Sequence, residues 1–310
     1  MLIKSADDRT ADLQTLQSLL DRPDASGDTR ARIEQELRNL QSGLRGERDA
    51  AYEVDFHYAQ SSNWMVLHDL RLECEGRVAQ IDHLLINRVL ECYVCESKRF
   101  FEGVAINEHG EFAAFYHGKS RGMPSPLEQN RRHIAVLESV FSTEQVPLPR
   151  RLGLALKPKM FSLVLVSKNA RIQRPKTEVP GIEEVLKCDQ LKARIEKNIS
   201  DDNNFLGLAK LIAPGTLEKL ARALAQQHRP IQTTWTAKFG LPATPPPVAP
   251  APTRAHEPGK EEGEKVSKRV CSRCGVPVSY SVAKFCWFNK PRFGSQIYCM
   301  DCQKEFPQAR

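Results

Sequence analysis

A proline-rich, acidic tract divides this 310-residue chain and argues against one continuous globular fold. Residues 241–268 contain seven prolines, and a cluster of glutamates follows most of them. Proline removes backbone donors and fixes φ, and the tract has almost no large apolar side chain to bury. We therefore expect a semi-extended linker between a main body, residues 1–240, and a C-terminal module, residues 269–310.

The C-terminal module carries two C-x-x-C pairs, Cys271 with Cys274 and Cys299 with Cys302, separated by 24 residues. Four thiolates at this spacing can close a tetrahedral Zn²⁺ site. So short a segment cannot bury an adequate apolar core, and metal binding would supply its folding free energy. We expect a small zinc ribbon, with a redox dithiol pair as the alternative. A fifth thiol, Cys286, lies between two aromatic residues, and we interpret it as packing.

The formal net charge of +7 belongs to this same end of the chain. From Lys265 onward nine basic residues stand against two acidic ones, so residues 1–264 sum to zero. Within the body, Gln145–Thr177 holds eight Lys and Arg residues and no Asp or Glu. Any one such cluster is commonly a solvated surface, but two in one chain favour a polyanionic partner.

Composition and apolar runs exclude several classes of protein. Apolar residues make up 41% of the chain and charged residues 27%, which are ordinary globular values. No apolar run approaches the roughly 18 residues of a membrane span, and residues 1–10 lack the apolar region of a secretory signal. Nine cysteines, an odd number, argue against a secreted disulfide framework. We therefore predict no membrane partner and a cytoplasmic location.

Residues 1–45 are predicted to form a helical hairpin broken at Pro23–Gly27. Apolar residues recur at helical spacing on both sides of the break: Leu13, Leu16, Leu19 and Leu20, then Ile33, Leu37, Leu40 and Leu44. The resulting narrow seam can pack on the body or join two copies in a homodimer. Packing on the body is the favoured alternative.

The rest of the body interleaves strands with helices, which is typical of an α/β domain. The periodicity predicts strands over 64–72, 78–86, 90–98 and 161–167, and helices over 127–141, 182–198 and 204–228. The run FSLVLVS at 161–167 has the pattern of a strand buried on both faces. We assign residues 46–190 to an α/β domain and 191–240 to a helical extension.

Two carboxylates and a lysine are predicted to meet on one patch of the sheet. Glu96 and Lys98 are two residues apart on a strand, so they share a face. A hairpin centred on Val89 would set Asp82 directly opposite Glu96, with Cβ atoms roughly 4.5–5.5 Å apart. Such a pair can hold Mg²⁺ or Mn²⁺ against substrate phosphates. A cross-strand salt bridge on a solvated face is the alternative.

Neighbouring residues on these strands have structural interpretations. Cys92 and Cys95 should point to opposite faces of their strand, which favours core thiols over metal ligands. His83 should face away from Asp82 by alternation, which favours a structural role. Trp64 is expected in the core.

The body resembles the nuclease-related domain, NERD, a family similar to restriction-endonuclease-like PD-(D/E)xK proteins. The resemblance covers roughly residues 46–140 and can extend to 190. It implies a restriction-endonuclease-like central mixed sheet flanked by helices. Ser125 stands where the family often has Asn, and a serine caps a helix equally well. The motifs that carry the resemblance are Gly46-Glu47, Gln80-Ile81-Asp82, Glu96-Ser97-Lys98 and Ser125-Pro126-Leu127-Glu128-Gln129.

The resemblance implies a role for each polar residue of these motifs. Asp82 and Glu96 would be the primary Mg²⁺ ligands, with Glu47 completing the shell directly or through water. Lys98 would assist the nucleophile, and Gln129 would position the substrate or the site. The function so implied is metal-dependent hydrolysis of nucleic-acid phosphodiesters, DNA favoured over RNA, with the zinc module helping to bind. A nucleic-acid-binding protein without turnover and a protein-interaction adaptor are the alternatives.

Overall fold

The computed structural model describes residues 1–201, 211–244 and 269–306. The chain divides into two compact units, Met1–Val248 and Ala249–Arg310. Apart from its first four residues, the predicted linker lies outside the described residues, as does 204–210 of the predicted helix.

Twelve strands and nine α-helices make up the described part of the chain. The strands are β1 (Leu2–Lys4), β2 (Trp64–Cys74), β3 (Arg77–Asn87), β4 (Glu91–Lys98), β5 (Gly103–Ile106), β6 (Phe112–Tyr116), β7 (Lys119–Met123), β8 (Arg150–Arg151), β9 (Leu154–Ala155), β10 (Lys159–Val166), β11 (Arg171–Gln173) and β12 (Val185–Lys187). The helices are α1 (Thr10–Leu20), α2 (Gly27–Tyr58), α3 (Pro126–Ser142), α4 (Leu191–Asp201), α5 (Pro214–Gln226), α6 (Trp235–Lys238), α7 (Tyr280–Phe288), α8 (Lys290–Phe293) and α9 (Met300–Gln303).

A mixed six-stranded sheet in the order β1-β2-β3-β4-β10-β12 forms the centre of the body. Strands β2, β3 and β4 are antiparallel neighbours, whereas β10 runs parallel to both β4 and β12. Helices α3 and α5 pack on one face, and α2 and α4 on the other. Cys92 lies in the first of these cores and Cys95 in the second, as alternation predicts. The α/β fold class predicted from the sequence is confirmed.

The β3–β4 hairpin has the register that the sequence predicts. Ile86 pairs with Cys92 and His83 with Cys95, so the hairpin is centred on residue 89. Asn87 Oδ1 accepts hydrogen bonds from the amides of Val89 and Glu91 at 3.1 and 2.9 Å, which closes the turn. The turn therefore sets which residues of the two strands face each other.

Helices α1 and α2 form the predicted hairpin, but α2 continues unbroken past residue 45 to Tyr58. Ser26 caps it by accepting the amide of Thr29 at 3.1 Å. The apolar seam is covered within the chain, because Leu16, Leu19 and Ile33 share a cluster with Trp235 and Phe239. This finding supports packing on the body and leaves the predicted homodimer without a free seam among the described residues.

Residues 182–198 differ from the single helix that the sequence predicts. They form two short 3₁₀ turns around β12, and α4 begins only at Leu191. Val185 and Leu186 are buried by parallel pairing with β10 at the edge of the sheet. This strand is only three residues long and is stabilised by pairing with a strand distant in sequence, so local periodicity could not predict it.

A second sheet in the order β11-β5-β6-β7 follows directly from β4 and was not predicted. Its strands are three to five residues long. It packs on the central domain through Phe100, Val104 and Phe112, which share a cluster with Val164 and Leu127. Short strands with alanine, glycine and polar residues carry a weak local signal, so tertiary packing decides their conformation.

Gly103, the first residue of β5, lies against Arg171 of β11 where no side chain fits. Its φ is +148°, and a Cβ built there would lie 2.3 Å from the Arg171 carbonyl oxygen. We expect Gly103→Ala to lower the free energy of unfolding by about 1–3 kcal/mol, because β5 and β11 must separate. Chemical denaturation measures this change. Gly122→Ala, where nothing lies within 4 Å, is the control and should be nearly neutral. Equal stability of the two variants would contradict the close approach.

Candidate active site and four-cysteine module

Glu96, Lys98 and Gln129 form a closed hydrogen-bonded triangle at the end of β4. The Lys98 ammonium donates to Glu96 Oε1 at 2.6 Å and to Gln129 Oε1 at 3.1 Å. The Gln129 amide in turn donates to the same Glu96 oxygen at 2.7 Å. Glu96 and Lys98 can both reach Gln129 because they leave the same face of the strand.

Helix α3 brings Gln129 to the sheet from its first turn. Ser125 caps this helix, as predicted, by accepting the amide of Glu128 at 3.4 Å. Asn130 follows Gln129 directly, His133 lies one turn beyond it, and both side chains are buried. The Asn130 amide donates to the backbone oxygens of Val94 and Leu163 at 2.8 and 3.2 Å. These contacts tie α3 to β4 and β10, and so fix the position of Gln129.

The second oxygen of Glu96 is buried and has no hydrogen-bond partner among the described residues. His133 Nδ1 lies 3.4 Å away but lacks hydrogen-bond geometry. Burial, with Lys98 and Arg132 nearby, lowers the pKa of His133 to about 4, so the ring is neutral at neutral pH and forms no ion pair. An unpaired oxygen of a buried carboxylate is costly and therefore indicates a missing partner.

Asp82 stands beside this triangle on β3. Its Oδ2 accepts the backbone amide of Ser97, the residue between Glu96 and Lys98, at 2.7 Å. Burial raises the pKa of Asp82 well above its usual range, and Glu96 and Glu47 raise it further. Burial likewise raises the pKa of Glu96, although Lys98 and Gln129 oppose the change. Raised pKa values of this kind are typical of carboxylates that lie close together with too little positive charge nearby.

Glu47 reaches the same region from α2, on the other layer of the fold. Burial raises its pKa first, followed by the charges of Asp69 and Glu96. The preceding residue, Gly46, allows α2 to approach the strand end, since a Cβ there would lie 2.8 Å from Arg99 Cβ. The glycine-glutamate pair therefore combines a close helix approach with a carboxylate directed toward the site.

An open cleft of about 320 Å³ lies between α2 and this end of the sheet. Two basic residues, Arg9 and Arg48, also line it. Of the acidic residues that line it, the sequence predicted only Glu47 and Asp82 as site residues. The full acidic lining is Asp7, Asp8, Glu47, Asp55, Asp69 and Asp82. Asp69 lies opposite Asp82 but was not predicted from the sequence. Its φ of +52° interrupts the β2–β3 ladder, and no local sequence pattern indicates this backbone conformation.

A buried histidine pair connects this cleft to the triangle. His68 Nδ1 lies 2.7 Å from His83 Nδ1, and the outer nitrogens contact Asp55 at 3.1 Å and Ser97 Oγ at 2.7 Å. Burial and the neighbouring His68 lower the pKa of His83 well below its usual range, so this ring is neutral. The pair supports Ser97, whose amide holds Asp82, which agrees with the structural role expected of His83.

The structure thus joins four of the five predicted site residues around one strand end: Asp82, Glu96, Lys98 and Gln129. Glu47 shares the cleft with Asp82. Within the described part of the chain, however, only the four cysteines bring three or more ligand atoms within 4.8 Å of one another. The catalytic and metal-binding roles of the carboxylates stay predictions.

The C-terminal unit gathers the side chains of Cys271, Cys274, Cys299 and Cys302 into one cluster. Cys274 Sγ and Cys299 Sγ are 3.6 Å apart. Backbone amides, that of Cys274 foremost, lower the pKa of Cys271 to about 6, which favours its thiolate. The group could hold a zinc ion, because four thiolates are the ligand set of a structural Zn²⁺ site.

Helices α7 and α8 occupy the segment between the two cysteine pairs, where the sequence analysis expected a ribbon. In the described residues of this unit the backbone forms one isolated bridge, Val270 with Pro277, and no paired strands. Cys286 is fully buried in α7, as predicted for a packing residue. Phe293 is buried among Tyr298 and Phe306, with ring centroids 6.0 and 5.6 Å away. The small core is therefore aromatic and helical.

Several basic residues of the stretch Gln145–Thr177 are engaged by neighbouring groups. Arg150 of β8 pairs with Glu144, Lys159 lies over the Phe161 ring, and Arg174 donates to the Val185 carbonyl. The side chains that these contacts hold are less available to a polyanionic partner.

The fold is an α/β domain with a mixed sheet flanked by helices, and the predicted site lies at one end of that sheet. Residues 42–167 match the family model of the nuclease-related domain, which brackets Glu47, Asp82, Glu96, Lys98 and Gln129. This part of the chain is thus similar to the nuclease-related domain, NERD. No curated protein and no solved structure shows a match to the chain. Among the described helices, none has the length and apolar character needed to cross a membrane.

Proposed function

We propose that this protein is a metal-dependent nuclease that hydrolyses phosphodiester bonds of DNA, with the four-cysteine module binding Zn²⁺ and helping to hold the nucleic acid. The observation that carries this proposal is the state of Glu96. One of its oxygens is held by Lys98 and Gln129, while the other is buried near Asp82 and has no hydrogen-bond partner in the described part of the chain.

The donor set suits Mg²⁺ or Mn²⁺. The free oxygen of Glu96 and the carboxylate of Asp82 are hard ligands, and Mg²⁺ is typically held by one or two carboxylates with water and phosphate oxygens completing its shell. Glu47 would contribute from the cleft, through water. A cation bound there supplies electrostatic stabilisation of the charge that builds on the scissile phosphate.

Lys98 is held ready for its role by the residues around it. Its ammonium is fixed by two hydrogen bonds, so little side-chain freedom is lost when it meets a substrate. From this position it donates a hydrogen bond to the attacking water or to a phosphate oxygen, where charge develops. Gln129 keeps both Glu96 and Lys98 in place and acts as a positioning residue.

The C-terminal module supports nucleic-acid binding through basic and aromatic side chains. Phe288 is 78% exposed, and Lys284 lies 5.8 Å from its ring centroid. Exposed aromatic rings can stack on unpaired bases while basic side chains contact phosphates. A tether to the catalytic body would raise the local concentration of the module at the same nucleic acid.

Asp82→Asn tests metal binding together with cleavage. We expect Mg²⁺ to raise the unfolding temperature of the wild-type protein and not that of the variant, because binding to the folded state alone stabilises it. Without added Mg²⁺ or Mn²⁺ the variant should unfold at a higher temperature than wild type, since the raised pKa of Asp82 means that its ionisation at neutral pH destabilises the fold. Thermal unfolding of the zinc-loaded proteins without added cation, with Mg²⁺ and with Mn²⁺ measures both effects.

The same samples are assayed for cleavage of linear, nicked and single-stranded DNA and of RNA. The wild-type protein should cleave DNA only with Mg²⁺ or Mn²⁺, and Asp82→Asn should not. Glu138→Gln, an exposed carboxylate on α3, is the matched control and should behave as wild type. A wild-type protein that cleaves none of these forms with either cation would overturn the enzyme proposal and favour nucleic-acid binding without turnover.

A further inference from the structure

The hairpin formed by β6 and β7 extends out of the hydrophobic core into solvent. At its base Phe112 pairs with Met123 and is buried, and at its tip Tyr116 pairs with Lys119. Tyr116 is 52% exposed, and the four residues 119–122 are all exposed. β7 is therefore an exposed edge strand of the second sheet, and the turn of this two-stranded ribbon, with its flanking residues Tyr116 and Lys119, projects beyond the last β5–β6 pair, Gly103 with Phe115.

The tip of the ribbon has a defined shape. His117 and Gly118 form the two-residue turn with φ of +50° and +72°, the sign that a type I′ hairpin turn requires at both positions. The Glu102 carboxylate accepts the backbone amides of both residues. The ribbon is thus held in place by the chain segment that leads from β4, and a partner would not have to order it.

The outer ribbon carries positive charge that the fold does not use. Lys119 and Arg121 lie two residues apart on β7 and share a face with Tyr116. Neither side chain forms a hydrogen bond or an ion pair with any residue that the structure describes. The sequence from Phe112 to Leu127 contains no Asp or Glu. The face thus combines two free cations with an exposed aromatic ring.

The ribbon lies within reach of the candidate active site. Glu102, which contacts the turn, follows Lys98 by four residues, and four extended residues span at most about 14 Å. One helical turn of duplex DNA measures about 34 Å. A single duplex can therefore touch the turn and present a phosphodiester near Lys98.

We propose that the β6–β7 ribbon is a binding element for double-stranded DNA, with Lys119 and Arg121 contacting the duplex in or beside its major groove. The major groove of B-form DNA is about 12 Å wide and can admit the projecting turn with Tyr116 and Lys119 beside it. The major groove of A-form RNA is too deep and narrow for this contact. This inference deepens the proposed function and rests on it for the chemistry, but binding is measurable without cleavage.

The test is binding of the full-length, zinc-loaded double variant Lys119→Ala/Arg121→Ala to a fluorescent DNA duplex in buffer without chelator and without Mg²⁺ or Mn²⁺, followed by anisotropy over a range of salt concentrations. We expect at least a tenfold loss of affinity at low salt. The slope of log affinity against log salt should fall by about 2, because two phosphate contacts are lost. The charge-preserving variant Lys119→Arg/Arg121→Lys should keep the wild-type slope.

The matched control is Lys219→Ala/Arg222→Ala, which removes the same charge from α5, packed against β1 and β2. It should leave the slope unchanged. Equal losses in the two alanine variants would mean a diffuse charge effect and would overturn the proposal, as would equal competition by duplex RNA. If the wild-type protein cleaves DNA but the ribbon variant binds the duplex as tightly as wild type, this inference alone is overturned. If the ribbon variant loses binding but the wild-type protein never cleaves, only the proposed function is overturned.

Discussion

Lys98→Ala is expected to lower the rate of Mg²⁺-dependent DNA cleavage by about 10²–10³-fold, the range found when one donor that stabilises a developing charge is removed. Binding of duplex DNA should change much less, since Lys98 is a single charge that Glu96 and Gln129 already engage. Single-turnover cleavage, and binding assays without Mg²⁺ or Mn²⁺ and without chelator, measure the two quantities separately on the same protein preparation.

The variant must be shown to be folded, because Lys98 is the partner of a buried carboxylate. Removing one member of a buried ion pair can cost about 3–5 kcal/mol. Thermal unfolding therefore accompanies the assay, and Gln129→Ala serves as a second variant. We expect Gln129→Ala to keep the charges of Glu96 and Lys98 and to cleave DNA more slowly than wild type. Gln129→Asn should restore the cleavage rate only in part. Wild-type cleavage by a folded Lys98→Ala protein would rule out a role for the lysine in the reaction.

Removing the metal from the four-cysteine module is expected to unfold that module while the body stays folded. Structural Zn²⁺ contributes about 10–16 kcal/mol in small zinc peptides, far more than this unit's few buried side chains can supply. Cys271→Ser, or a strong zinc chelator, should thus abolish hydrogen-exchange protection at Phe293 and Tyr298. Exchange in the β3–β4 hairpin of the body should be unchanged.

Cys286→Ser is the matched control, because Cys286 is the one cysteine of this unit outside the cluster. It should keep the stoichiometry of bound zinc, measured by elemental analysis, and lose only packing stability. Full zinc content in Cys271→Ser, or unchanged protection after chelation, would contradict a structural zinc site. Equal zinc loss in both variants would place Cys286 among the ligands.

The sequence by itself determined the central hairpin. A centre at Val89 follows from the alternation of the two strands, and it sets Asp82, Glu96 and Lys98 at one end of the sheet. The spacing of the four cysteines likewise predicted their cluster. Two closely spaced thiols lie on each side of a short segment, so the two pairs can meet around one metal ion without ordering a long stretch of chain. Both features depend on residues close in sequence.

Only the tertiary structure decided which distant residues complete the site. Glu47 comes from a helix on one layer and Gln129 from a helix on the other, and only packing on the sheet brings them to Glu96. The same holds for the interrupted ladder at Asp69 and for the β6–β7 ribbon, whose short strands depend on neighbours. Local periodicity records which face a residue prefers, whereas the free energy of long-range burial selects the partner that the face meets.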